Sequence, residues 1–322
     1  MITFPTFLKN YLLTAVVLFV ASYCQAQDSD VKPDSLIIRK HVDFLAATNL
    51  AGRGTGSKGL KKAAKYIERH FNAYGLTPMG EKGYRQAFIA KVRRVSVPDS
   101  LRKAYNLIGY LDNKAAHTVV IGAHYDHLGL GRQGGSKDPS PEGKIHHGAD
   151  DNASGVAGLL ELARCFSQNK LQENCNILFI AFSGEELGLL GSKHYVEHPI
   201  IPMNKLSFMV NMDMIGRYDP SRGVGIGGFG TSDSWPAIFE GITSDIQYFT
   251  DKSGSGGSDH GSFYAKGIPV LFFHTGGHAD YHMPTDTAEK VDVKAEAAIV
   301  DLEMRIILKA MKENKLNFTE VK

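Results

Sequence analysis

The stretch TVVIGAHYD, Thr118–Asp126, is an unbroken apolar run that ends on two side chains able to bind or serve a metal, His124 and Asp126. A strand buried on both faces reads as such a run, whereas a strand with one wet face alternates. Outward from it the pattern recurs: ILFIAF (177–182) leads to Glu185 and Glu186, LSFMVN (206–211) to Asp213, and IPVLFF (268–273) to His282. Helical spacing fills the intervals at 153–166, 187–196, 235–242 and 293–311. Upstream, 34–47 and 57–74 are helical, with the glycine-rich loop NLAGRGTGSKG between them, and 86–112 is β-like. Apolar strands alternating with helices predict an α/β fold, a three-layer sandwich with a mostly parallel central sheet and helices on both faces. Ligands of such sheets bind beyond the carboxyl ends of the strands, which is where these polar residues fall.

Composition narrows the partners. Lys and Arg number 36 against 34 Asp and Glu, a net charge of +2, and the basic residues are scattered. That leaves no electrostatic footprint for nucleic acid. Hydrophobic residues at 43% and charged residues at 22% match ordinary globular chains rather than disordered or membrane-embedded ones. The start, an apolar run at 11–21 followed by SYCQAQ, reads as a signal peptide over 1–26 with cleavage after Ala26, since the run is too short to span a bilayer. Export to the periplasm or beyond follows, with residues 27–322 as a single domain. Tyr23 before Cys24 argues against lipidation. Cys165 and Cys175 then remain, and the sequence leaves open whether they pair.

The residues after the strands form a set of histidine, aspartate and glutamate ligands once the pair Asp150 and Asp151 in GADDNASG is added. Nitrogen and oxygen donors of this kind suit zinc. Five protein ligands are too many for one tetrahedral ion and suit two if one aspartate bridges them. A short side chain flanked by Gly148, Ala149, Ala153 and Gly155 can approach two cations, although side-chain alternation means that Asp150 and Asp151 cannot both aim at one point. Glu185 and Glu186 offer one carboxylate for metal and one for a proton. Asp126 has the reach to accept the second ring N–H of His124.

Six segments, HYDHLG, GADDNASG, FSGEELGLLGS, NMDMIG, SDHGSF and DYHMPTDT, together resemble the secreted di-zinc aminopeptidase family of clan MH, whose relatives include glutamate carboxypeptidases, glutaminyl cyclases and the transferrin receptor. The resemblance runs from about Leu50 to Asp286 and implies a zinc-peptidase-like fold. It implies one zinc on His124, Asp151 and Asp213, a second on Asp151, Glu186 and His282, Glu185 as general base, and a cis bond between Asp151 and Asn152. The substrate it implies is a peptide with a free amino terminus. Glutaminyl-cyclase-like aminoacyl transfer, carboxypeptidase or dipeptidase activity, and a binding protein that has lost catalysis are the alternatives. DKSGSGGSDH departs from the family by lacking a tyrosine and a disulfide before SDH, which leaves the zincs, a backbone N–H or Tyr281 to steady an oxyanion.

Met214, Phe263 and Tyr281 are expected to line the pocket for the first side chain, and the insertion 129–144 to lie over the site. His146 and His147 read as loop residues, and Asp259 and His260 as structure or pocket wall. Two matches to G-x-G-x-x-G, at 129–134 and 225–230, do not open a helix after a strand and so do not predict phosphate binding. Oligomeric state is not legible.

Overall fold

The computed structural model describes residues 31–92, 100–313 and 315–321. The predicted signal peptide lies outside the described residues. Nine strands, β1 (Thr77–Pro78), β2 (Arg85–Lys91), β3 (Leu101–Leu111), β4 (Thr118–His124), β5 (Asn176–Phe182), β6 (Leu206–Met212), β7 (Val224–Gly227), β8 (Tyr248–Thr250) and β9 (Val270–His274), form one sheet among the described residues. Their order is β1-β3-β5-β4-β6-β9-β7-β8, with β2 paired to β3.

Parallel pairing holds the centre, where β4 lies between β5 and β6 and β6 pairs with β9. The flanks differ from the expectation of a mostly parallel sheet. β1, β2 and β5 all pair antiparallel with β3, and β7 runs antiparallel to β9, so the sheet is mixed. Between β2 and β3 the reason is connection length: a parallel return needs a crossover, and the connection joining them is too short for one.

Every residue of β4, β5 and β6 is buried. Alternate side chains feed two cores. Val119, Ile121, Phe179 and Val210 pack with α1 (Ser35–Leu45), α2 (Lys58–Ala73), α3 (Gly155–Gln168), α5 (Trp235–Phe239) and α7 (Val293–Ala310). Val120, Leu178, Ile180 and Met209 pack with α4 (Leu190–Glu197) and α6 (His260–Tyr264) on the other face. Helices on both faces of one sheet make the expected three layers. Helix ends follow local chemistry: the Asp34 carboxylate accepts from the Leu36 N–H at 2.7 Å, and the Ser57 hydroxyl accepts from the Leu60 N–H at 3.0 Å. α5 stops at Phe239, short of the expected 242, and the chain turns through Gly241 at φ +71°.

The second glycine match, 225–230, begins inside β7 rather than in a phosphate loop. A Cβ on Gly225 would sit 2.6 Å from Nε2 of His274 on the paired strand, so the imidazole lying over this position accounts for that glycine. Cys165 and Cys175 are buried free thiols. No helix of the described residues is long and apolar enough to cross a membrane.

Glu303, on the buried face of α7, is fully inaccessible, and neither carboxyl oxygen has a hydrogen-bond partner among the described residues. Burial pushes it well above the ordinary value of 4.5. The folded chain therefore keeps a proton that the unfolded chain releases, and folding stability falls as pH rises past about 4.5. Glu303→Met is expected to add about 1–3 kcal/mol of stability at pH 4, by removing the unpartnered buried carboxyl, and more at pH 7, where the cost of keeping its proton is removed as well. Thermal unfolding in chelator at the two pH values checks this, and a lower melting temperature for the variant at pH 7 would contradict it.

Candidate active site

The carboxyl edge of the central strands gathers the expected residues. His124 is the last residue of β4, Glu185 and Glu186 follow β5, Asp213 follows β6, and Asp151 lies in the turn 149–154 that enters α3, its own backbone off helical geometry at φ −105° and ψ 91°. His282 arrives on the segment after β9. Asp151 faces two ways. Its Oδ1 lies 3.3 Å from His124 Nε2, and its Oδ2 lies 3.1 Å from His282 Nε2. Asp213 Oδ1 stands 3.3 Å from the same His124 nitrogen, and Glu186 Oε2 stands 3.2 Å from the same His282 nitrogen. The Asp151–Asn152 peptide is cis.

These separations test whether the residues fit zinc. Bonds of about 2.0–2.2 Å in a tetrahedron put neighbouring ligand atoms about 3.3–3.6 Å apart. The observed spacings of 3.1–3.3 Å lie at or just below the short end of that range. Charge argues the same way. Burial alone would lower the His124 imidazole, yet Asp213, Glu185 and Asp151 hold it well above its ordinary value. Burial likewise opposes charge on His282, which Asp151 and Glu186 nevertheless push up to about 10. Carboxylates that make histidines retain protons are short of cations, and a divalent ion displaces those protons when it binds.

The supporting bonds come from backbone and neighbouring side chains. Asp286 accepts the N–H groups of Asp150 and Asp151 at 3.0–3.1 Å. Asp150 turns away from the clusters: Oδ1 accepts from Gly216 N–H at 2.7 Å and Oδ2 lies 3.0 Å from His278 Nε2. Asn152 ties the turn to β6, donating to the Met212 carbonyl at 2.9 Å and accepting from Met214 N–H at 3.2 Å. Ser258 donates to Asp213 Oδ2 at 2.7 Å.

Asp126 differs from expectation. Its carboxylate is 3.9 Å from His124 Nδ1, whose N–H donates instead to the Asp126 backbone carbonyl at 3.2 Å. The carboxylate is occupied elsewhere, accepting from the Thr55 hydroxyl at 2.9 Å and from Glu185 N–H at 3.2 Å. Asp126 thus holds the backbone of Glu185. Glu185 has Oε2 4.0 Å from His124 Nε2 and, through burial and then the neighbouring acids outweighing His124, a carboxyl raised well above the usual range.

Phe263 is corrected more fully. It is completely buried, packed against Phe182 and Tyr195 at centroid distances of 6.0 and 5.6 Å, because α6 turns that face toward the sheet. It belongs to the core and not to a pocket. Met214, at φ +61° with its carbonyl accepting from Thr275, lies beside Asp213, and Tyr281 stacks on His282 at 3.9 Å with Lys137 Nζ 4.2 Å from its ring centroid. His146 meets Ser136 and the Lys144 carbonyl, and His147 meets the Ala46 carbonyl, so both serve loops. Asp259 is buried and His260 stacks on Phe272 at 4.3 Å. The sequence reading missed His127. Its Nδ1–H donates to Glu186 Oε1 at 2.8 Å, so that this carboxylate is shared between two histidines, and its place three residues after His124 was the available signal.

An α/β sheet with a parallel centre, whose carboxyl edge joins histidines and carboxylates into two clusters around one aspartate, defines the class as that of the zinc exopeptidases. The chain belongs to peptidase family M28, whose model matches residues 106–307. Leupeptin-inactivating enzyme 1 of Streptomyces exfoliatus is 30% identical over 76% of this chain and 49% of its own length. Aminopeptidase YwaD of Bacillus subtilis is 31% identical over 61% of this chain and 42% of its own length. This chain therefore spans about half the length of these relatives or less. A solved zinc-dependent exopeptidase of Parabacteroides distasonis shares the fold, at TM-score 0.68 and 19% identity over 86% of this chain and 98% of that one.

The geometry separates the two neighbouring aspartates. Asp151→Asn is expected to abolish tight metal binding in both clusters, whereas Asp150→Asn lowers thermal stability and leaves metal stoichiometry intact. Elemental analysis of the two purified variants checks this, and equal metal loss would contradict it.

Proposed function

We propose that the chain is a zinc-dependent exopeptidase that binds two zinc ions and removes residues from the amino terminus of peptides. The observation that carries the reading is Asp151, with one carboxylate oxygen toward the His124–Asp213 cluster and the other toward the His282–Glu186 cluster. The aminopeptidase among the relatives supports the choice of terminus.

Bound zinc supplies a Lewis acid for the peptide carbonyl and makes water acidic enough to attack near neutral pH. Glu185 does the proton work in this proposal. It sits off both ligand sets and its backbone is fixed by Asp126, so its carboxylate is placed to take the proton from the attacking water and return it to the leaving amine. Tyr281, stacked on His282, is the side chain proposed to steady the oxygen that gains charge at the carbonyl. Met214 and Tyr281 bound the space for the first side chain.

Glu185→Gln is expected to lower kcat by about 10²- to 10⁴-fold while both metals stay bound. Single-turnover assays beside metal analysis test it, and near-normal turnover would remove Glu185 from the role. Free-amino peptides should be cleaved and N-blocked ones refused, with activity lost in chelator and restored by zinc. Cleavage confined to blocked peptides would overturn the terminus assigned here, and cyclisation of amino-terminal glutamine without peptide cleavage would favour the cyclase reading.

A further inference from the structure

The glycine-rich loop between α1 and α2 brings one side chain into the site from a distance in sequence. Arg53 is completely buried. Its guanidinium donates to carbonyl oxygens alone: Nε to Tyr125, Nη1 to Leu45 and His147, and Nη2 to Gly148, the Tyr125, His147 and Gly148 bonds at 3.0, 2.8 and 2.8 Å. Tyr125 lies between His124 and Asp126, and His147 and Gly148 immediately precede the turn that carries Asp151. One fork therefore grips two of the three chain segments that supply ligands to the His124 cluster, those of His124 and Asp151.

The loop is built to present this fork. Ala51, Gly52 and Arg53 all have positive φ, at 46°, 69° and 50°. A Cβ on Gly52 would meet the carbonyl oxygens of Gly129 and His146 at 2.4 Å, so the backbone itself packs against the start and end of the 129–146 excursion. His127 N–H donates to the Arg53 carbonyl at 3.2 Å, which closes the connection from the strand side. Among the described residues no carboxylate hydrogen-bonds the guanidinium, but Asp151, Asp286, Asp126 and Glu186 all lie close enough to favour its charge. An isolated buried cation is costly unless such charges surround it. Here the surrounding charges include two of the metal ligands.

We infer that Arg53 is a positioning residue for the metal centre: its planar fork fixes the carbonyls of Tyr125, His147 and Gly148, and so sets the distance between His124 and Asp151 that a shared metal pair requires. Lysine cannot do this, because its ammonium is a point charge without the planar fork. The inference rests on the reading that these clusters bind zinc.

The test is zinc binding by metal-free protein in competition with a chromophoric chelator, with melting temperatures of the metal-free and zinc-loaded forms, for the full chain and for Arg53→Lys and Arg53→Met. Residues that orient metal ligands are worth about 10- to 100-fold in affinity. A loss of that size is expected in both variants, with a smaller rise in melting temperature on adding zinc and, at saturating zinc, KM near that of the parent. Parent-like affinity, or the same fall in melting temperature with and without zinc, would make Arg53 a purely structural residue and overturn the inference. Failure of both variants to fold would do the same. If the parent chain itself binds no zinc, the functional reading fails first, and that result is distinguishable from the others.

Discussion

Burying many carboxylates at one edge of a sheet is the constraint on which the rest of the structure depends. Asp126, Asp150, Asp151, Asp259 and Asp286 are all buried there, with Glu185, Glu186 and Asp213 beside them. Taken out of water without compensation, such a set would repel itself and lose its hydration. The chain answers with different devices for different members. Backbone N–H groups and hydroxyls satisfy Asp126 and Asp150, the N–H groups of residues 150 and 151 satisfy Asp286, and the guanidinium of Arg53 lies close by. What remains unmatched is Asp259, whose two carboxyl oxygens have no hydrogen-bond partner among the described residues, and the set around His124 and His282, where the excess of negative charge is left to histidine protons or to metal.

That division explains how much could be read from the sequence. The apolar runs of β4, β5 and β6 carry their own signature, and the ligands fall one to four residues beyond those runs, so fold centre and metal-type residues were legible together. The sheet flanks were not, because the antiparallel pairings of β3 with β5 and of β7 with β9 join strands far apart in sequence, which no periodicity records. Phe263 was misplaced for a related reason: an aromatic residue beside SDH can face the pocket or the core, and only the orientation of the short helix α6 decides. Asp126 shows a third limit. Reach along the chain allowed its carboxylate to meet His124, but Thr55 and the Glu185 backbone compete for the same oxygens from distant segments.

The two clusters are also mechanically unequal. His124 is part of a central strand and Asp213 immediately follows another, so two ligands of the first cluster inherit the rigidity of a fully buried sheet. His282 has no such base. It sits on a loop at φ +60°, its Nδ1–H donates to the Gly135 carbonyl at 2.7 Å, and its own carbonyl accepts from Lys137 N–H at 3.1 Å. The 129–144 insertion therefore braces this ligand. A histidine held by a backbone carbonyl has its tautomer and ring plane fixed much as one held by a carboxylate would, but the brace is a surface loop and opens at lower cost than a strand. Asp151 joins the rigid cluster to the braced one. It is anchored from behind by Asp286, whose carboxylate accepts the Asp151 N–H at 3.1 Å, so the bridge between the clusters is held from the same segment that carries His282.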